Sequence, residues 1–231
     1  MALRSADSAR THRTPRGPVH HPLFARYYAR ISVSAEQRLG MGAVRDRLLT
    51  GLSGRVVEIG AGNGLNFAHY PGTVSEVVAI EPERLLRKLA VEAAVRSEVP
   101  VDVVPGTSEA LPVKSEAFDA AVLCLVLCSV RDVRRTLWEL RRVLRPGGTV
   151  AFFEHGAGGG RTMSLTQRAL DRTLWPPLNG GCHLSRDPIA ALRDAGFELG
   201  PYRRVMMPEK GPRLPSSYCV LGRARRPDLT E

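Results

Sequence analysis

The feature that most constrains this chain is a glycine cluster at the end of an apolar run, Arg55-Val-Val-Glu-Ile-Gly60-Ala-Gly62-Asn-Gly64. Arg55 to Gly60 has the length and β-branched content of a short buried strand. Glycines directly after a strand let the chain turn sharply and let a ligand approach the backbone. About twenty residues beyond Gly60, Glu81 ends a second apolar run, Glu76-Val-Val-Ala-Ile-Glu81. A carboxylate at the tip of a neighbouring strand can accept hydrogen bonds from both hydroxyls of a ribose. The spacing therefore predicts a nucleoside site at the ends of two adjacent parallel strands.

Charge narrows the choice of nucleoside. A dinucleotide site uses G-x-G-x-x-G, with the pyrophosphate held at the N-terminus of the following helix. Here the run is G-x-G-x-G, and Glu58 stands two residues before the first glycine. A carboxylate there would repel a pyrophosphate and would suit a cationic amino group. S-adenosylmethionine carries that amino group and a sulfonium charge, and it has no phosphate.

The rest of the chain alternates strands and helices. Further strands are predicted over Val101–Val104, Phe118–Leu125 and Thr149–Glu154, with helices over Arg84–Arg96 and Asp132–Leu144. Arg145-Pro-Gly-Gly148 stops the second helix, and Leu65–Tyr70 is expected to open one. Beyond Glu154 the pattern gives helices over Ser164–Leu174 and Ser185–Leu192, with Ser185 as N-cap, and a closing strand pair over Tyr202–Met206 and Tyr218–Arg223. The expected fold is α/β: a Rossmann-like doubly wound sheet, mostly parallel with an antiparallel last strand, and helices on both faces. Residues 1–22 read as a flexible basic arm and 23–231 as one domain. Within it, 23–50 form N-terminal cap helices, 55–154 the cofactor-binding core, and 155–231 the acceptor-side loops, helices and closing strands.

Composition excludes several classes. The length of 231 residues suits one domain with a full core, and no apolar run is long enough to span a bilayer. No apolar signal segment is visible, and stable membrane insertion is not expected. A net charge of +10 raises nucleic acid as a partner, but the basic residues form no compact run and no aromatic-interleaved patch, which argues against it. Cys124, Cys128, Cys182 and Cys219 make no C-x-x-C pair, so no metal is expected, and a reduced, cytoplasmic setting fits. The expected partner is a small-molecule methyl acceptor, with the protein a monomer or homodimer.

These motifs together resemble class I S-adenosylmethionine-dependent methyltransferases. Val56 to Gly64 looks like their first motif, Gly106-Thr-Ser-Glu-Ala-Leu-Pro112 their third-strand segment, Phe118-Asp119 the start of their fourth strand, and Leu144-Arg-Pro-Gly-Gly148 their L-x-P-G-G turn. More narrowly, Leu125-Val-Leu-Cys-Ser-Val130, Phe153-Glu-His155 and Gly181-Cys-His-Leu-Ser-Arg186 resemble the methyltransferase-like 7 group and its bacterial relatives. In animals that group is similar to thiol S-methyltransferases anchored on lipid membranes. No anchor helix is found here, so the anchoring is not carried over. The resemblance implies that Gly60 and Gly62 line the methionine moiety, that Glu58 orients its amino group through water, and that Glu81 binds the ribose. Thr107 or Ser108 would lie beside adenine, where Thr107 replaces the acid usual at that position. Backbone at Cys124 and Leu125 would face the sulfonium, and Ala61, Asn63 and Pro82 complete the expected cofactor contacts.

Methyl transfer from a sulfonium is an in-line displacement, so the protein mainly supplies alignment and desolvation. A base is needed only if the acceptor arrives protonated. His155, at the end of the fifth strand, and His183, in the Gly-Gly-Cys-His loop, are the candidates. Tyr27 and Tyr28 are candidates for a lid over the cofactor, and Cys128 either lines the acceptor pocket or packs as a small hydrophobe. The sequence leaves four readings open: a small-molecule methyltransferase acting on a thiol or lipophilic acceptor, an O- or N-methyltransferase of a quinone, lipid or natural-product intermediate, a nucleic-acid methyltransferase, and a cofactor-binding protein without turnover. The third is weakened because Cys124-Leu-Val-Leu stands where base N-methylation uses an Asn/Asp-Pro-Pro-Tyr type motif.

Overall fold

The computed structural model describes residues 22–228, so most of the basic arm expected at the N-terminus lies outside the described residues. Seven strands form one sheet: β1 (Gly54–Ile59), β2 (Val74–Ile80), β3 (Val101–Val104), β4 (Phe118–Cys124), β5 (Leu144–His155), β6 (Glu198–Met206) and β7 (Tyr218–Arg225). Their order is β3-β2-β1-β4-β5-β7-β6. All neighbours from β3 to β5 run parallel, and β7 pairs antiparallel with both β5 and β6. The order reverses between β1 and β4, and that switch point opens the crevice where doubly wound sheets bind ligands.

Alternation along each strand divides the core in two. Val56, Val77, Ala79, Ala120, Val122 and Phe153 pack on one face against α2 (Met41–Leu49). Val57, Val78, Ala121, Leu123, Val150 and Phe152 pack on the other, against α4 (Val133–Val143) and α7 (Pro188–Asp194). Strands buried on both faces read as the near-continuous apolar runs seen in the sequence. The remaining helices are α1 (Pro22–Arg38), α3 (Arg84–Ala94), α5 (Arg161–Asp171) and the short α6 (Trp175–Leu178).

The two expected N-terminal helices are present as α1 and α2. Four local expectations change. The helix expected from Leu65 is only a 3-10 turn, Phe67–His69, because Tyr70-Pro71-Gly72 turns the chain straight into β2. The Arg145-Pro-Gly-Gly148 turn belongs to β5, which pairs from Leu144 onward. Asp187, not Ser185, caps α7, accepting hydrogen bonds from Ile189 N and Ala190 N at 3.0 Å each. Helix α5 starts three residues earlier than expected, at Arg161.

Candidate active site

The site grows from the end of β1. Gly60, Gly62 and Gly64 all have positive φ, at 66°, 58° and 79°. A Cβ on Gly60 would stand 2.8 Å from Val126 Cγ2, so this position needs glycine for space as well as for conformation. Gly60 N and Ala61 N both donate to Ile80 O, which stitches the loop to the end of β2.

Glu81 follows that strand end directly. Its Oε2 accepts from Gly62 N at 2.8 Å, and its Oε1 accepts from Glu83 N at 2.8 Å. The carboxyl is 4% exposed, and burial raises its pKa to about 7 against the opposing pull of those two amides.

Beside this pair lies a cavity of about 360 Å³. Of the sequence-predicted cofactor residues, Gly60, Gly62, Glu81, Pro82, Thr107, Ser108, Cys124 and Leu125 line it. Glu58, Ala61 and Asn63 do not. Glu58 is 1% exposed and sits behind the glycine loop, accepting from Asn66 Nδ2 and from the Tyr70 hydroxyl at 2.7 Å each. Burial raises its pKa to about 7 as well. Asn63 Nδ2 donates to Ser32 Oγ and so ties the loop to α1.

The buried polar chain continues beyond what the sequence indicated. Asn66 Oδ1 accepts from Arg45 Nη1 at 2.5 Å, and Arg45 Nε donates to the Glu36 carboxylate at 3.0 Å. Arg45 Nη1 also reaches Cys124 Sγ at 3.6 Å. Arg45 interrupts the buried face formed by Val44, Leu48 and Leu49. A charge on the apolar side of a short helix was the signal available for it.

Helix α1 roofs the cavity. Phe24 and Tyr28, one helical turn apart, stack with ring centroids 5.6 Å apart, and both line the cavity. A Cβ on Gly62 would meet Tyr28 Cε1 at 3.4 Å, and one on Gly180 would meet Phe24 Cε1 at 2.5 Å. Tyr27, the other expected lid residue, points away and is 54% exposed.

The loop after β4 forms the opposite wall. Leu125 holds φ of 59°, a strained value for a branched residue, and its N–H donates to Phe153 O at 2.7 Å. Glu154, fully buried at the end of β5, anchors the next three residues. Its Oε1 accepts from Val126 N at 2.8 Å and Leu127 N at 3.0 Å, and Oε2 from Cys128 N at 3.4 Å. Burial raises this acid to about 7 too. The sequence marked Glu154 only as a strand residue; a carboxylate in an otherwise apolar strand was the signal for an anchoring role.

Neither candidate base lines the cofactor cavity. His155 stands 3.4 Å from Cys182 Sγ and borders a second, larger cleft together with Cys128. Burial disfavours its charged form, but Cys128, Glu154 and Asp171 around it together raise its pKa. His183 Nδ1 lies 2.7 Å from Gly181 O; a carbonyl only accepts, so Nδ1 carries the proton.

The cavity suits a nucleoside with a charged, phosphate-free tail. It has a glycine cradle that a Cβ would fill, a buried carboxylate beside it, and an apolar wall of Ile59, Ile80 and Leu86. No α-helix follows the glycine loop to present its N-terminus to a pyrophosphate. This fold and this donor set define a class I S-adenosylmethionine-dependent methyltransferase.

Comparison with known proteins agrees. A methyltransferase-domain family model matches residues 57–152. The chain is 34% identical over 182 residues to thiol S-methyltransferase TMT1B of Homo sapiens, covering 76% of this chain and 73% of that protein. It is 28% identical over 170 residues to the ubiquinone/menaquinone biosynthesis C-methyltransferase UbiE of Syntrophotalea carbinolica, covering 69% and 70%. A solved S-adenosylmethionine-dependent methyltransferase from Thermotoga maritima, a possible histamine N-methyltransferase, shares the fold at TM-score 0.63 and 23% identity, covering 88% and 96%. The chain belongs to the S-adenosylmethionine-dependent methyltransferase family, and S-adenosylmethionine is its methyl donor.

Proposed function

We propose that the chain methylates the sulfur of a small lipophilic thiol. The observation that carries this reading is the chemistry of the cavity wall: among the described residues no histidine and no lysine lines it, while Phe24, Tyr28, Val126 and Val130 give it an apolar stretch. A cysteine-type thiol has a pKa of roughly 8.5, and any aliphatic thiol ionises far more readily than an alcohol and gives a strongly nucleophilic sulfur, so thiols depend least on a base. An alcohol acceptor has no such supply of nucleophile. The 34% identity to a thiol S-methyltransferase supports the same acceptor class.

The bound donor supplies an activated methyl group. The residues of this chain supply the rest. Gly60 and Gly62 admit the methionine portion against the backbone, and Glu58, held by Asn66 and Tyr70, sets the negative field behind them. Glu81 takes the ribose hydroxyls. Thr107 and Ser108 border the base, with Ser108 Oγ fixed by the Thr136 hydroxyl at 2.9 Å. Phe24 and Tyr28 exclude water from above. The Leu125–Cys128 loop, pinned by Glu154, holds the wall that the acceptor approaches. We place the activity in a reducing, cytoplasmic compartment, supported by four thiols that are free in the fold.

The alternative is transfer to a quinone-type acceptor, as the name of the UbiE relative suggests. That reading calls on His155 or His183 as base, and neither borders the cavity. The two are separated by incubating the enzyme and donor with octanethiol, octanol and a hydroquinone, and identifying products by mass spectrometry. Octyl methyl sulfide, formed faster as pH is raised and more of the thiol ionises, is expected. Methylated hydroquinone with no thioether would contradict the proposal.

A further inference from the structure

Beside the second cleft lies the only grouping of three or more metal-capable side chains found among the described residues: Cys128, His155 and Cys182. They come from three separate segments, the loop after β4, the end of β5 and the loop after α6. Their donor atoms all lie within 4.8 Å of one another, and Cys182 Sγ is 3.4 Å from His155 Nδ1. We propose that these three residues form a zinc site with two thiolate ligands and one imidazole.

The distances fit. Tetrahedral zinc with bonds of about 2.3 Å to sulfur and about 2.0 Å to nitrogen sets its ligand atoms roughly 3.5–3.8 Å apart. The Cys182–His155 pair already has that spacing, and the widest pair needs to close by about one ångström. Two soft sulfurs and an imidazole, away from any oxygen-rich cage, favour zinc over magnesium or calcium. Each thiol gives up its proton to solvent as its sulfur–metal bond forms, so two protons leave per metal bound.

The backbone around the ligands is already fixed. Cys128 N donates to Glu154, Cys128 O accepts from His183 N at 2.7 Å, and Cys182 N donates to Asn179 O at 3.1 Å. Asp171 accepts from Leu184 N and Ser185 N, which holds the loop carrying Cys182. Three protein ligands leave the fourth position to a solvent or solute donor. Cys128 and His155 border a cleft of about 920 Å³, lined also by Trp138 and Arg186, from which such a donor can come.

The site joins two loops that also shape the methyltransferase cavity. Ser129 follows Cys128 and Gly181 precedes Cys182, and both Ser129 and Gly181 line that cavity. Zinc would therefore staple one wall of the donor site without touching the reacting atoms. The metal and the thiol-acceptor proposal stand independently, since the test below reads metal uptake alone.

The experiment is titration of reduced, metal-free full-length protein with cobalt(II), followed by zinc(II). One equivalent of cobalt is expected to give sulfur-to-cobalt charge transfer and strong tetrahedral visible bands, which zinc then abolishes. Cys182→Ser and His155→Ala should each weaken binding more than about 100-fold, beyond what loss of an outer-shell partner costs. His69→Ala, whose ring pairs with Asp46 away from the cluster, should bind as wild type. Circular dichroism of each variant separates lost ligation from lost fold. Wild-type protein that stays folded yet takes up no stoichiometric cobalt or zinc would overturn the site. So would uptake unchanged in a folded Cys182→Ser variant, or copper(I) uptake alone.

Discussion

The Glu81 carboxylate accepts the Gly62 N–H at 2.8 Å, so the acid at the tip of β2 and the second glycine after β1 hold each other in place. One oxygen orders the glycine loop and the other orders Glu83, and the same group faces the cavity. Removing it should therefore cost loop order as well as ribose contacts. Hydrogen bonds to a charged group contribute about 1.5–3 kcal/mol each, so Glu81→Ala should weaken S-adenosylhomocysteine binding by roughly 10–100-fold or more. Glu81→Gln, which keeps one acceptor oxygen, should lose less. Titration calorimetry ranks the two, and equal affinities would refute the dual role.

Gly60 tests the cradle. Alanine there meets Val126 at 2.8 Å and must hold a positive φ of 66°. The left-handed conformation alone costs about 1–2 kcal/mol. Gly60→Ala should lower stability by at least that amount in urea denaturation and should abolish measurable cofactor binding. Gly72→Ala, with nothing within 4 Å of the new carbon, should stay within about 0.5 kcal/mol of wild type.

Three buried acids give the fold a signature in pH. Glu58, Glu81 and Glu154 have native pKa values raised to about 7 by burial, against an ordinary value of 4.5. Between those values the native state binds more protons than the unfolded chain, so stability falls as pH rises. The contribution is complete below about 4.5 and is lost as pH passes through about 7. His155, also raised, acts in the same direction. Ligand-free protein should thus have a higher Tm at pH 6 than at pH 8, with a slope on the order of 1 kcal/mol per pH unit. Glu154→Gln should flatten it. A Tm that rises across this window would contradict the assignment.

Helix α1 offers a matched control for the roof. Tyr28 and Phe24 line the cavity, whereas Tyr27 is 54% exposed. Phe24→Ala and Tyr28→Ala should raise the KM for the methyl donor about tenfold, as loss of about 1.4 kcal/mol of contact implies. Tyr27→Ala should leave it unchanged. Steady-state kinetics at saturating acceptor distinguishes the three.

What the sequence disclosed follows from how local each signal is. The sheet was legible because β1, β2, β4 and β5 are buried on both faces over most of their length and carry apolar runs there. The glycine loop and Glu81 were legible because their conformational and charge requirements fix residue types at fixed spacings. The helix expected from Leu65 was misjudged because apolar spacing cannot overrule Pro71 and Gly72 just beyond it. Arg45, Asn66 and Tyr70 stayed hidden because their partners lie across the fold, with Arg45 and Asn66 21 residues apart. The proximity of Cys128, His155 and Cys182 was hidden for the same reason. Metal spacing rules describe ligands carried on one hairpin or helix, and here the sheet brings three segments together.

The central claim is that the glycine loop and Glu81 form an S-adenosylmethionine site. Its most direct test is calorimetric titration of the full chain with S-adenosylhomocysteine and, separately, with NAD. Micromolar binding of S-adenosylhomocysteine, lost in Glu81→Ala and absent with NAD, is the predicted result. Tight NAD binding with no heat from S-adenosylhomocysteine would contradict it.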